Sequence, residues 1–151
     1  MDQTAAQAQL DGFLDKFLPE IALRARGCIA RMRTRLPGAL ELVYDNYQAL
    51  AVGYAPTERA SDAIFSIVVM PTKVSICFTY GAGLPDPHGV LNGAGNQIRH
   101  VRLPMPETLD EPALSQTMDI ALDHAKVPLD PAQPFRTVIK SISAKQRPRR
   151  P

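Results

Sequence analysis

The hydrophobic period of this chain first changes at Pro37-Gly38, and that change restricts the possible folds more than any other feature. Before it, apolar residues recur every three or four positions. After it they alternate. Leu10, Phe13, Leu14 and Phe17 fall at i, i+3, i+4 and i+7, the spacing of one helical stripe. Thr4-Ala-Ala-Gln7 has the form of a capping box and predicts the start of that helix. Leu18-Pro19 ends it. A second helix is predicted from about Pro19 to Leu36, burying Ile21, Ala25, Cys28, Ile29, Met32 and Leu36 and carrying Arg24, Arg31 and Arg35 on its outer face. Pro37-Gly38 is its stop signal.

Beyond that point the pattern is that of strands. Leu40, Leu42 and Tyr44 alternate with Glu41, Val43 and Asp45, and Leu50, Val52 and Tyr54 follow across a short link, which predicts a hairpin. Ala63–Met70 is a strongly apolar run suited to a central strand. In Lys73–Tyr80, Val74, Ile76, Phe78 and Tyr80 face one way and Lys73, Ser75, Cys77 and Thr79 the other. Ile98, His100 and Arg102 alternate with Arg99, Val101 and Leu103, which predicts a fifth strand at or near an edge. A last helix is expected after Asp110, with Asp110 as its cap, Pro112 in its first turn, and Leu114, Met118, Ala121, Leu122 and Ala125 as its core stripe. The fold class expected is α+β: an antiparallel sheet of about five strands with two N-terminal helices and one C-terminal helix packed on it. Residues 1–130 form one domain, and 131–151 are expected to be an irregular, mobile, basic tail.

Of the 151 residues, 17 are Lys or Arg and 15 are Asp or Glu, a net +2 that hides strong blocks. Residues 21–40 hold five arginines and no acid, 104–130 hold six acids and one lysine, and 131–151 hold six bases and no acid. Blocks of opposite sign predict pairing between segments, and the weak net charge speaks against a dedicated nucleic-acid binder. Cys28 and Cys77 offer neither a disulfide framework nor a zinc spacing, and the first residues lack the features of a signal peptide, so a reduced cytoplasmic protein is expected. No apolar run is long enough to span a bilayer.

Between the fourth and fifth strands, Thr79 to Leu103 carries five glycines, two prolines and two of the three histidines. A loop of that length inside a compact domain is functional or disordered. Its glycines miss the dinucleotide fingerprint, and no Walker lysine-serine pair accompanies them. It runs into Arg99 and His100, whose side chains point to opposite faces of their strand. A cluster of Tyr44, Asp45, Tyr47, Arg99 and His100 would suit a small polar or anionic ligand, the arginine holding the anion and Asp45 orienting the arginine. The competing reading is a structural network in which Asp45 pairs with an arginine. Metal ligands would come from Asp86, His88, His100, Asp119, Asp123 and His124, but no spacing among them is that of a metal motif, and the acidic helix face pairs equally well with the arginines of the second helix. Cys77 requires a neighbouring base to act as a nucleophile, and His100 is in reach only if the two strands pair.

The ordered runs Glu41-Leu-Val-Tyr-Asp-Asn-Tyr47, Gly53-Tyr-Ala-Pro-Thr-Glu-Arg59, Gly83-Leu-Pro-Asp-Pro87 and Gly95-Asn-Gln-Ile-Arg-His100 resemble those of the YdhG-like domain family, small bacterial α+β proteins mostly of unassigned function. The resemblance extends over roughly residues 8 to 127. It implies the fold, and at most an iron-chaperone role of the frataxin-like kind described for some relatives.

The function expected is that of a non-enzymatic binding module with a small-ligand pocket lined by Tyr44, Asp45, Tyr47, Arg99 and His100. No catalytic residue, metal or cofactor is assigned, and no membrane partner is expected. Metal handling is the first alternative, and an enzyme with His100 as general base the second.

Overall fold

A computed structural model describes residues 2–151. α1 (Gln3–Leu14) starts two residues earlier than the capping box suggested, because Asp2 is the cap: its carboxylate accepts the Ala5 N–H at 2.8 Å. α2 (Pro19–Arg35) has Pro19 in its first turn, where a missing N–H costs nothing. All six residues of its expected inner stripe are buried. The chain leaves α2 through Gly38 at φ +88°, where an added Cβ would lie 1.9 Å from the Asp130 carbonyl oxygen. No other residue type fits there.

Six strands follow: β1 (Leu40–Asp45), β2 (Leu50–Ala55), β3 (Phe65–Met70), β4 (Lys73–Phe78), β5 (Arg99–Arg102) and β6 (Arg136–Ile142). They lie side by side in the order β5-β4-β3-β2-β1-β6. The first five form the expected antiparallel meander, with β5 at one edge. α3 (Pro112–Asp123) begins at Pro112 as expected. Its cap position is Glu111, whose side chain makes no capping bond, and Asp110 binds Arg31 on α2 instead. α3 carries the chain back across the sheet to the opposite edge.

The C-terminal segment overturns one expectation. Residues 136–142 form β6, parallel to β1, and the sheet is therefore mixed and six-stranded. The Thr-Val-Ile run at 137–139 has the β-branched character of a strand. The cations around it conceal that pattern, and its partner lies almost a hundred positions upstream. α1 seals the outer edge: the Gln3 side chain donates to the Thr137 carbonyl at 3.1 Å and accepts the Thr137 N–H at 2.7 Å, imitating one more strand residue.

The helices cover one face of the sheet. Val52, Phe65, Ile67, Val69, Val74, Ile76 and Phe78 point into that layer and are fully buried. Glu41 and Asp45 point the same way. The register aligns them with Tyr54 and Leu50, on the core side. Leu40 and Leu42 consequently face outward, where they pack with Ala55, Ala63 and Val138 into a small second cluster. The 56–62 segment folds toward this cluster, held to β6 by Arg136 on Glu58 at 3.1 Å and Lys140 on the Glu58 carbonyl at 2.9 Å.

Candidate functional site

The residues expected to share one pocket are divided between two ends of the sheet. Asp45 ends β1 and Tyr47 sits in the following turn, whereas Arg99 and His100 are on β5. Four strand spacings separate β1 from β5, about 19 Å. Arg99 does not reach Asp45, and the cavity expected between the two segments does not form. Tyr44 faces away from both, on the helix-free side, with its hydroxyl buried and without a hydrogen-bond partner among the described residues. Burial raises the pKa of that hydroxyl.

Asp45 does pair with an arginine, and it comes from the C-terminal segment. Both carboxylate oxygens are fully buried: Arg149 Nη2 donates to one at 2.9 Å and Lys16 Nζ to the other at 2.6 Å. The Arg149 side chain is only 3% exposed and lies over the Phe17 ring, 5.7 Å from its centroid. Nη2 also donates to the Asn46 carbonyl and Nη1 to the Tyr47 carbonyl, while the buried Nε has no hydrogen-bond partner among the described residues. Gln146 and the Ser143 N–H bind the Asp45 carbonyl at 3.0 and 2.9 Å. Burial by itself would raise the Asp45 pKa, but the hydrogen bonds from Lys16, Gln146 and Arg149 outweigh it and hold the carboxyl below its ordinary value. Four residues back along the same face of β1, Glu41 is surrounded in the same manner. Arg33 grips it with two bonds of 2.9 and 2.6 Å, while the Tyr54 and Thr137 hydroxyls donate at 2.9 Å each. These sites bind protein groups at every oxygen and leave no acceptor for a ligand.

At the other edge the glycine loop organises itself. Asp86 accepts the Val90 and Leu91 N–H groups at 3.0 and 3.1 Å. Asn92 and His100 exchange both backbone hydrogen bonds, and Arg99 donates to the Gly95 and Ile98 carbonyls at 2.7 and 2.9 Å. Gly93, at φ +134°, makes the turn that brings the loop over Arg99. Arg99 is thus a clamp on its own loop. His100 is exposed and stands opposite Cys77, so the two strands do pair. Burial raises the Cys77 thiol's pKa, which leaves it protonated at neutral pH and a poor nucleophile.

The acidic face of α3 and its approach meets the arginines of α2. Arg31 binds Glu107 and Asp110 at 3.2 and 3.1 Å, and Arg35 binds Asp119 at 3.0 Å. His88 contacts Gln116 at 2.6 Å and His124 the Ile120 carbonyl at 2.9 Å. Among the described residues, no three Cys, His, Asp or Glu side chains converge as a metal site.

A different hollow is present where the C-terminus of α3 crosses the ends of β3 and β4. It has a volume of about 190 Å³ and an apolar wall that includes Ile64, Phe78, Leu84 and Ala121. Asp62, Tyr80, His124 and Lys126 supply its polar lining. Tyr80 is fixed there by its hydroxyl, which donates to the Ser61 carbonyl at 2.6 Å. The sequence held one cue to this place, a histidine and a lysine just past the apolar stripe of the last helix. Nothing local links them to Tyr80, which lies more than forty positions upstream. Comparisons with protein-family models, with curated proteins and with solved structures find no match for this chain.

Proposed function

We propose that this protein is a non-enzymatic binding module whose ligand occupies the hollow beneath the C-terminus of α3. The observation that carries the reading is the combination of size and lining. A dry cavity of about 150 Å³ accommodates a benzene-sized molecule, and this hollow has about 190 Å³ with apolar walls. The ligand class that fits is a single ring or short branched chain with one polar or anionic group. That group would lie toward Lys126, which makes no ion pair among the described residues, and toward His124. Small pockets of this kind obtain affinity from apolar burial and orientation from a few polar groups.

Benzoate is a suitable probe because it has both features. In a titration followed by amide resonances, saturable shifts confined to Phe78, Tyr80, Ala121 and Ala125 are the expected result. Ala121→Leu fills the hollow and should abolish those shifts without unfolding the domain. Shifts that never saturate, or that persist unchanged in Ala121→Leu, contradict the reading.

A further inference from the structure

The side of the sheet away from the helices has an unusual charge distribution. Its strand residues are Leu40, Leu42 and Tyr44 on β1, Ala51, Gly53 and Ala55 on β2, Ser66, Val68 and Met70 on β3, and Lys73, Ser75 and Cys77 on β4. β5 adds His100 and Arg102. None of these is acidic. At the end of the sheet where β3 turns into β4, the C-terminal segment continues the same sign. Lys73, Arg147 and Arg150 surround one shallow hollow with Gln48 and Thr72, and no acidic side chain lines it. Arg102 lies diagonally across from Lys73 on the same face, since it stands opposite Ser75. Among the described residues, none of Lys73, Arg102, Arg147 and Arg150 pairs with a carboxylate.

The weak net charge conceals this patch. Several acids of the chain are committed elsewhere: Asp11, Asp15, Glu107, Asp110 and Asp119 to the arginines of α2, and Asp45 to Arg149 and Lys16. The buried Arg149 anchor holds the segment in place and leaves its neighbours facing water. Tyr47 is 48% exposed beside Arg147, whose guanidinium is 5.8 Å from the ring centroid. Lys73, Arg102 and Arg147, with Arg150 at the rim where it also donates to the Lys16 and Asp15 carbonyls, spread over a shallow surface without acidic side chains and match an extended polyanion better than a compact one. An exposed aromatic among them matches unstacked bases.

We propose that this end of the helix-free sheet face binds the phosphate backbone of single-stranded nucleic acid. The test is fluorescence anisotropy of a labelled oligothymidylate with the full chain across a salt series. Four phosphate contacts predict a log–log salt slope of about −3. The Lys73→Gln, Arg147→Gln, Arg150→Gln triple variant should weaken binding at least about tenfold, with thermal unfolding unchanged. Arg24→Gln, on the opposite side of the molecule, should leave binding intact. Three results would each overturn the proposal: no binding in about 50 mM salt, equal binding by the triple variant, or duplex DNA or heparin bound as tightly as the single strand.

Discussion

At the β1–β6 side of the sheet, Glu41 and Asp45 are buried completely, and each carboxylate oxygen is answered by a cation or hydroxyl from another part of the chain. At the β5 edge, Arg99 is half-buried and His100 exposed, and apart from the ladder to β4 their hydrogen bonds go to the loop that precedes them. The first edge is tied together by long-range polar contacts reaching from α1 to the last residues. The second is a local structure that the rest of the fold does not need. The contrast explains why one set of polar residues is costly to disturb and the other is not. A buried charge that loses its partner keeps its desolvation penalty, whereas an exposed one returns to water.

Substitutions sharpen that contrast in order of expected size. Glu41→Ala should be the most damaging, because it strands Arg33, Tyr54 and Thr137 together; a loss of about 3–5 kcal/mol is expected in urea unfolding. A loss below about 1 kcal/mol would show that these groups find water or other partners. Asp45→Asn should cost about 2–3 kcal/mol, less because Lys16 is partly in solvent. It should also alter the pH profile. A carboxyl held below its ordinary value stabilises the fold above the unfolded pKa of about 3.9 and loses that contribution as pH falls through the lower folded value. Asp45→Asn should therefore flatten the acid limb of stability against pH, and an unchanged limb would contradict the pairing. At the other edge, Arg99→Ala should cost less than about 1 kcal/mol. Its visible effect should be faster amide exchange confined to the loop before β5. His100→Ala should fall within about 0.5 kcal/mol of the parent. A global loss of several kcal/mol from either would erase the distinction between the edges.

The helices, the five-strand meander and the placement of β5 at an edge were legible because each rests on a local period. Val74, Ile76 and Phe78 face the core for the reason their alternation gives, and the stripe of α2 is buried residue for residue. The opposed acidic and basic blocks correctly foretold the pairing of Arg31 and Arg35 with Glu107, Asp110 and Asp119. The site was much less legible. Asp45 and Glu41 look like outward residues of an amphipathic strand, and only the arrival of Lys16, Arg33, Thr137 and Arg149 makes their burial possible. Arg149 lies over a hundred positions from Asp45, and it has the same composition around it as a solvated tail. Local pattern carries no information about such a pairing. The same holds for the hollow beneath α3, whose walls come from three separate stretches of chain.

The account depends on the last fifteen residues being part of the folded domain. Native-state amide exchange at Ser143 and Arg147 measures that directly, because their N–H groups donate to the Asp45 and Tyr47 carbonyls at 2.9 and 2.8 Å. Both should exchange orders of magnitude more slowly than in an unstructured peptide, and both should lose that protection in Asp45→Asn. Exchange at the free-peptide rate in the parent protein would mean that the segment is not docked, and the β1–β6 side would then be no more closed than the β5 edge.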